Sequence, residues 1–125
     1  MTTRDRRAAR GFGLGAEARA AFLLRLTGWR ILARGYRAHG GEIDIVAARA
    51  DVIAFVEVKA RPSLEEALTA VTPLKRERLS RAARQWLSEN GWAMGRTLRG
   101  DLVAVAPGRW PRRLAAAITL DLGHA

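Results

Sequence analysis

The segment GGEIDIVAARADVIAFVEVKAR, residues 40–61, decides the fold of this chain of 125 residues. Two runs rich in Ile, Val and Phe predict β-strands at about residues 42–48 and 52–60. A tight turn at Arg49-Ala50-Asp51 joins them, so the segment is predicted to form a hairpin. Three charged residues interrupt the apolar strands: Asp44, Glu57 and Lys59.

The position of the turn decides which of these charges face each other. With a turn centred at residues 50–51, Asp44 lies directly opposite Glu57, and opposed side chains have Cβ atoms roughly 5 Å apart. Strict alternation along the strand also puts Asp44 on the same face as Val46. Two ionised carboxylates at that separation repel by about 3 kcal/mol at an effective dielectric constant of 20. The hairpin therefore needs a compensating positive charge.

Two sources can supply that charge. Lys59 shares a strand face with Glu57 and can offset part of the repulsion. A divalent cation that bridges both carboxylates would offset more of it, and oxygen ligands favour Mg²⁺ or Mn²⁺. Only two of the 22 basic residues are Lys, so a lysine beside the acids is notable, since its compact charge can orient or deprotonate a water. A register shifted by one residue, with both acids at a solvated edge, is the alternative.

The overall charge indicates the kind of partner. A formal net charge of +10 favours a polyanion such as nucleic acid, although high charge also serves solubility alone. Residues 41–60 differ, because they contain four acidic and two basic residues. The chain has no cysteine, which excludes thiolate metal sites and fits a cytoplasmic location, and no apolar run approaches the ~20 residues of a membrane span.

The remaining patterns predict one α/β domain over residues 11–125, after a disordered basic tail at 1–10. Its order is α-β-β-β-α-β-β, which makes a mixed sheet of about five strands with helices packed on it. Glu17 lies on or beside the apolar face of the first helix, where an edge glutamate that reaches solvent is the simpler interpretation. The predicted elements outside the hairpin are a helix at 15–27, a strand at 29–38, a helix from Thr72-Pro73 to Asn90-Gly91, and strands at 101–106 and 113–122.

Several segments resemble the PD-(D/E)xK nuclease core, the restriction-endonuclease-like fold. The closer resemblance is to the YraN-like family, bacterial proteins related to archaeal Holliday junction resolvases. The resemblance covers most of the chain, from Gly13 to about Val105. Two positions depart from it, because Gly35 stands where the family usually has Asn and Gly100 where the family usually has Phe. The segments that carry it are GLGAEARAAFLLRLTGWRIL, GGEIDIVA, FVEVKAR, EEALTAVTPLKRERLSRAARQWL and RGDLVAV.

The resemblance implies a role for each matching residue. Asp44 and Glu57 would hold the metal together with the carbonyl of Val58, Lys59 would position the attacking water, and Glu17 matches an additional acid of the resolvases. Asp101 matches an aspartate of an R-x-D element, or it ties down a strand end. The basic positions expected to contact phosphates are Arg37, Arg61, Lys75 and Arg78, the last from the density of basic residues around it.

The predicted function is therefore a Mg²⁺- or Mn²⁺-dependent endonuclease that hydrolyses phosphodiester bonds in DNA, possibly branched DNA. A non-catalytic nucleic-acid-binding module with the same fold is the alternative, and a structural partner in a larger assembly is the third. DNA is expected rather than RNA, and the resolvase relationship implies a possible homodimer. Trp92 and Trp110, flanked by Gly, Pro and Arg, are candidates for stacking on bases.

Overall fold

A five-stranded mixed sheet with helices on both faces forms the core of the computed structural model, which describes the backbone of residues 3–123 and the side chains of residues 15–123. The predicted α/β fold and the predicted order of elements are confirmed. No helix in the described part of the chain has an apolar stretch long enough to cross a bilayer. The elements are α1 (Thr3–Leu26), β1 (Arg30–Ala38), β2 (Gly41–Arg49), β3 (Val52–Ala60), α2 (Leu64–Thr69), α3 (Pro73–Glu89), a 3₁₀ helix (Gly91–Ala93), β4 (Thr97–Val105) and β5 (Arg112–Ile118).

The sheet order follows the chain, β1-β2-β3-β4-β5. All neighbouring strands are antiparallel except β3 and β4, which are parallel. Short turns join β1, β2 and β3, whereas a parallel pair requires a crossover, and α2 with α3 supplies it. Thr72 and Pro73 begin α3 as predicted, because the Thr72 hydroxyl accepts a hydrogen bond from the Lys75 N–H and proline suits the first helical turn.

The register of β2 and β3 is the one predicted from the turn. Arg49 pairs with Val52, and the pairing continues to Ile45 and Val56. There the described ladder between the two strands ends, although β3 continues beside β4 as far as Ala60. The second half of β3 therefore pairs only with β4, and β2 separates from β3 at Asp44.

Helix α1 covers one face of the sheet and α3 covers the other. Ala16, Ala20 and Leu24 recur at intervals of four residues, so they form one buried stripe of α1 against Ile45 and Val56. On the opposite face, α3 packs Leu79, Ala82, Ala83 and Trp86 against β2 and β3 residues that include Phe55. The two faces thus have separate apolar cores, and the sheet lies between them.

Helix α1 begins at Thr3, twelve residues before the predicted start at Gly15. It therefore overlaps the segment at residues 1–10 that was predicted as a disordered tail, and the domain boundary at residue 11 stays a prediction. Residues 1 and 2 lie outside the described part of the chain.

Two glycines allow close approaches that no side chain would permit. A Cβ at Gly41 would lie 2.0 Å from the Arg78 carbonyl oxygen, so the backbone of α3 packs directly on the start of β2. A Cβ at Gly100 would lie 2.4 Å from the Ile118 carbonyl oxygen, so the edge strand β5 lies directly over β4 at this point. These contacts fix the start of β2 and the course of β5.

Asp101 stabilises that edge strand. Its fully buried carboxylate accepts two hydrogen bonds of 2.8 Å from Arg99 and one of 2.9 Å from the Ala116 N–H, and Arg113 lies at 3.4 Å. Ala116 has a positive φ of 54°, and the ladder between β4 and β5 shifts register between Gly100 and Leu102. The carboxylate therefore replaces a ladder partner at this irregularity, which supports the strand-tying role.

We predict that Gly41→Ala destabilises the protein by about 1–3 kcal/mol, because the new methyl group forces α3 away from β2. Gly91→Ala is the matched control, since a Cβ there meets no atom within 4 Å. Urea unfolding monitored by circular dichroism measures both. Equal stability of the two variants would contradict the close packing of α3 on β2.

Candidate functional site

Asp44 occupies the point at which β2 and β3 separate. Its Oδ2 atom accepts a hydrogen bond of 2.8 Å from the Val58 N–H. Backbone N–H groups of a strand lie in the plane of the sheet, so the Asp44 side chain reaches sideways toward β3. The N–H and C=O of one strand residue point to the same edge, so the Val58 carbonyl also faces Asp44. The carboxylate thus lies between the positions of Glu57 and Lys59 along β3.

The prediction that Asp44 shares a face with Val46 assumed strict alternation, and this assumption was wrong. Ile43 packs on the α3 side with Val46, whereas Ile45 packs on the α1 side, so the alternation breaks at Asp44. Gly35, which lies opposite Asp44 in the β1–β2 register, has a positive φ of 61°. Glycine and asparagine are the residues that adopt this conformation most readily, which explains a glycine where asparagine is usual in the family that the chain resembles.

Glu57 and Lys59 form an ion pair on β3. The Lys59 Nζ atom lies 3.0 Å from the Glu57 Oε1 atom, and the two side chains are 12% and 13% exposed. The pair flanks Val58, whose N–H binds Asp44, and the charges of Glu57 and Lys59 both act on the pKa of Asp44. Their catalytic and metal-binding roles remain predictions.

Glu17 brings a third acid to this end of the sheet from α1. Its side chain is 24% exposed and forms an ion pair of 3.1 Å with Arg34 of β1. The sequence interpretation missed Arg34, because an ion pair between a helix and a distant strand has no spacing signal. Alternation along β1 would not have placed Arg34 on the α1 face, because Arg34 is three residues from Ile31, which packs there, and only the register shift after Ile31 changes this.

Glu17 and Asp44 line a small cleft between α1 and the sheet, whereas Glu57 and Lys59 are not among its lining residues. The cleft has a volume of about 90 Å³ and is lined by Ala16, Glu17, Asp44, Val58 and Ala60. Burial and the neighbouring charge of Glu57 raise the pKa of Asp44 to about 7, although the hydrogen bond from Val58 opposes the shift. Glu17 adds a smaller upward contribution, and Lys59 a smaller downward one.

The donor atoms suit a hard divalent cation. Asp44, Glu57 and the Val58 carbonyl offer only oxygen ligands, and Mg²⁺ commonly binds through one or two carboxylates while it keeps several waters. Among the side chains that the structure describes, no three acidic or histidine residues converge as a complete metal cage. Metal binding at these residues stays a prediction.

The four basic residues predicted to contact phosphates are all exposed: Arg37, Arg61, Lys75 and Arg78. Arg61 follows the cleft residue Ala60, and Arg78 belongs to the part of α3 that touches Gly41. Within the described side chains, Arg37, Lys75 and Arg78 form no ion pair. They are thus available to a polyanion, and phosphate binding remains a prediction.

The fold and site define a class, an α/β protein with acids and a lysine at the point where two central strands separate. Residues 16–105 match the family described as "Uncharacterised protein family UPF0102". The chain belongs to this family, which is the YraN-like family, so the resemblance seen in the sequence is confirmed at the family level.

Similar proteins occur in several bacteria. The chain is 59% identical over 119 residues to a UPF0102 protein of Methylocella silvestris, covering 95% of this chain and 96% of that protein. It is 53% identical over 118 residues to one of Methylobacterium nodulans, with 94% and 92% covered. UPF0102 protein R00337 of Rhizobium meliloti is 52% identical over 102 residues, with 82% and 84% covered.

We predict that Asp44→Asn removes a loss of stability between about pH 4 and pH 7. The folded pKa of about 7 lies above the unfolded value near 3.9, so the folded state becomes less stable as the pH rises from about 4 to 7, and the loss is complete above pH 7. Asparagine keeps an oxygen for the Val58 N–H but cannot ionise. The free energy of unfolding in urea, measured at pH 5 and pH 8 without divalent metal, should fall less for Asp44→Asn than for the wild type.

Asp51→Asn is the matched control, because Asp51 is exposed in the hairpin turn. It should follow the wild type at both pH values. If the free energy of unfolding fell equally for Asp44→Asn and the wild type between the two pH values, burial would not raise the pKa of Asp44.

Proposed function

We propose that the protein is a metal-dependent endonuclease that hydrolyses phosphodiester bonds in DNA, with a restriction-endonuclease-like fold. The observation that carries this proposal is the position of Asp44, whose carboxylate reaches the β3 backbone between Glu57 and Lys59. Buried carboxylates with a raised pKa cluster at functional sites more often than elsewhere. The family assignment adds that relatives share this region, since the match covers residues 16–105.

Asp44, Glu57 and the Val58 carbonyl would hold a Mg²⁺ or Mn²⁺ ion. When bound, the ion would polarise the scissile phosphate and lower the pKa of a water. The ion pair with Lys59 involves Oε1 of Glu57, so Oε2 of Glu57 is outside that ion pair. A cation also removes the repulsion between Glu57 and Asp44 that raises the pKa of Asp44.

Lys59 and Glu17 act on the water and the phosphate. The Lys59 ammonium is held by Glu57 at 3.0 Å, and its remaining hydrogens can be donated to the attacking water or to a phosphate oxygen. Glu17 lines the same cleft as Asp44, where a carboxylate can accept a proton or orient a second water. Arg34 fixes the direction of Glu17 through their ion pair.

The charge distribution favours a nucleic acid as the substrate. The protein has a net charge of +10, while its cleft is lined by acidic side chains, so a polyanion can bind the surrounding surface and present one phosphate to a cation. Arg37, Arg61, Lys75 and Arg78 would neutralise flanking phosphates. DNA, including branched DNA, is the proposed substrate, and a homodimer the proposed assembly.

A non-catalytic nucleic-acid-binding module is the second candidate. The observation that favours it is the ion pair between Glu57 and Lys59, which already satisfies both charges without a metal. In that case the basic residues bind phosphates, and the acids serve only to position β2 and β3. Binding that weakens with salt but produces no cleavage would identify it.

We expect Mg²⁺- or Mn²⁺-dependent cleavage of branched, nicked or linear DNA that stops with EDTA. Glu57→Gln and Lys59→Met should each reduce the cleavage rate by roughly 100-fold or more, because they remove a ligand and the group that positions the water. Glu77→Gln is the matched control, since Glu77 is exposed and pairs with Arg81 on α3. Cleavage that persists unchanged in Glu57→Gln would sink the proposed mechanism.

Metal binding should also raise the melting temperature, because the ion binds the folded state only. At pH 8 and a concentration of ten times Kd, Mg²⁺ should add about 1.4 kcal/mol to the free energy of unfolding. Asp44→Asn and Glu57→Gln should abolish the increase, and Glu77→Gln should retain it. An increase of equal size in all variants would place the cation elsewhere.

A further inference from the structure

Two exposed aromatic side chains face each other on the outer flank of α1. The rings of Phe22 and Trp110 lie nearly parallel, at an interplanar angle of 12° and a centroid separation of 6.4 Å. Phe22 is 52% exposed and Trp110 is 68% exposed. The two rings together form an exposed apolar patch, and such patches can serve as ligand-binding surfaces.

The two rings border a pocket of about 470 Å³, within the range of small-molecule sites. Its rim carries two guanidinium groups and no acidic residue. Arg19 donates a hydrogen bond of 2.9 Å to the Ala106 carbonyl oxygen and another to that of Arg109, so the loop after β4 is held against α1. The lining residues are Ala18, Arg19, Phe22, Gly108, Arg109, Trp110 and Pro111.

The pocket and the acidic cleft are lined by neighbouring residues of α1, Ala18 and Arg19 for the pocket and Ala16 and Glu17 for the cleft. Arg19 is separated from Glu17 by two residues, which is about half a helical turn, so they project to opposite flanks of α1. On the strand side, Arg109 and Trp110 also line a small groove with Arg61, which directly follows the cleft residue Ala60. A nucleic-acid strand with one phosphate at the cleft can therefore reach the pocket within a few nucleotides.

We propose that the pocket between Phe22 and Trp110 binds an unpaired nucleobase of the nucleic-acid substrate. The proposal rests on the proposed function and specifies its substrate, a strand with unpaired nucleotides beside the cleaved phosphate. Only an unpaired base can present its face to an aromatic ring, because bases in a duplex are stacked on each other. The arginines at the rim suit the adjoining phosphates.

The test measures binding without cleavage. The full chain is titrated, in EDTA, into a single-stranded oligonucleotide that carries 2-aminopurine and into the same sequence as a duplex. Trp110→Ala and Phe22→Ala should weaken single-strand binding about tenfold, the loss of one base–aromatic stack, and should change duplex binding less than twofold. Trp110→Phe, which keeps an aromatic face, should retain most of the single-strand affinity.

Two exposed side chains away from the pocket provide matched controls. Met94, 53% exposed, follows the 3₁₀ helix after α3, and Leu26, 60% exposed, lies at the end of α1. Met94→Ala and Leu26→Ala should bind like the wild type. A loss shared by single strand and duplex, or equal losses in Met94→Ala and Trp110→Ala, would overturn the proposal.

The outcome separates this proposal from the proposed function. Single-strand binding that depends on Trp110, without any metal-dependent cleavage, would support the base pocket and contradict the nuclease. Cleavage that depends on Glu57, with wild-type binding by Trp110→Ala and Phe22→Ala, would overturn the base pocket and leave the nuclease intact.

Discussion

The hydrogen bond from the Val58 N–H to the Asp44 carboxylate determines the geometry of the whole site. The β2–β3 ladder ends before Val58, and a buried N–H without a partner costs roughly 1–3 kcal/mol. Asp44 removes that cost, and its own carboxylate is thereby fixed beside Glu57 and Lys59. Burial and the charge of Glu57 outweigh this hydrogen bond, since the pKa of Asp44 rises to about 7. The arrangement therefore satisfies the backbone but leaves the carboxylate poorly compensated.

The second aspartate within the sheet is a useful contrast. Asp101 is fully buried, yet two arginines and the Ala116 N–H surround its carboxylate, and its bonds to Arg99 raise the pKa of that guanidinium. Asp44 forms no direct ion pair with any side chain that the structure describes. The same residue type is thus fully neutralised where it secures a strand and incompletely neutralised at the cleft. Incomplete compensation is what a site that takes up an external cation requires.

Local patterns in the sequence predicted the fold well. The two-residue turn fixed the β2–β3 register, and the Thr72-Pro73 cap fixed the start of α3. Alternation failed at Asp44, where the positive φ of Gly35 on the neighbouring strand marks the same irregularity in β1, and no spacing in the sequence reveals it. The contacts of Arg34 with Glu17 and of Phe22 with Trp110 join distant parts of the chain, so no spacing or propensity could indicate them.

The close contact between Gly100 and Ile118 has an implication for how members of this family can differ from one another. The space that a large side chain would need at position 100 is taken here by the backbone of β5 and the side chain of Leu120. A chimaera that imports a bulky β4 residue at this point must also import the matching C-terminal segment, or the outer strand will be displaced. Residue 100 and the last thirteen residues that follow Arg112 are therefore expected to evolve as one inherited unit.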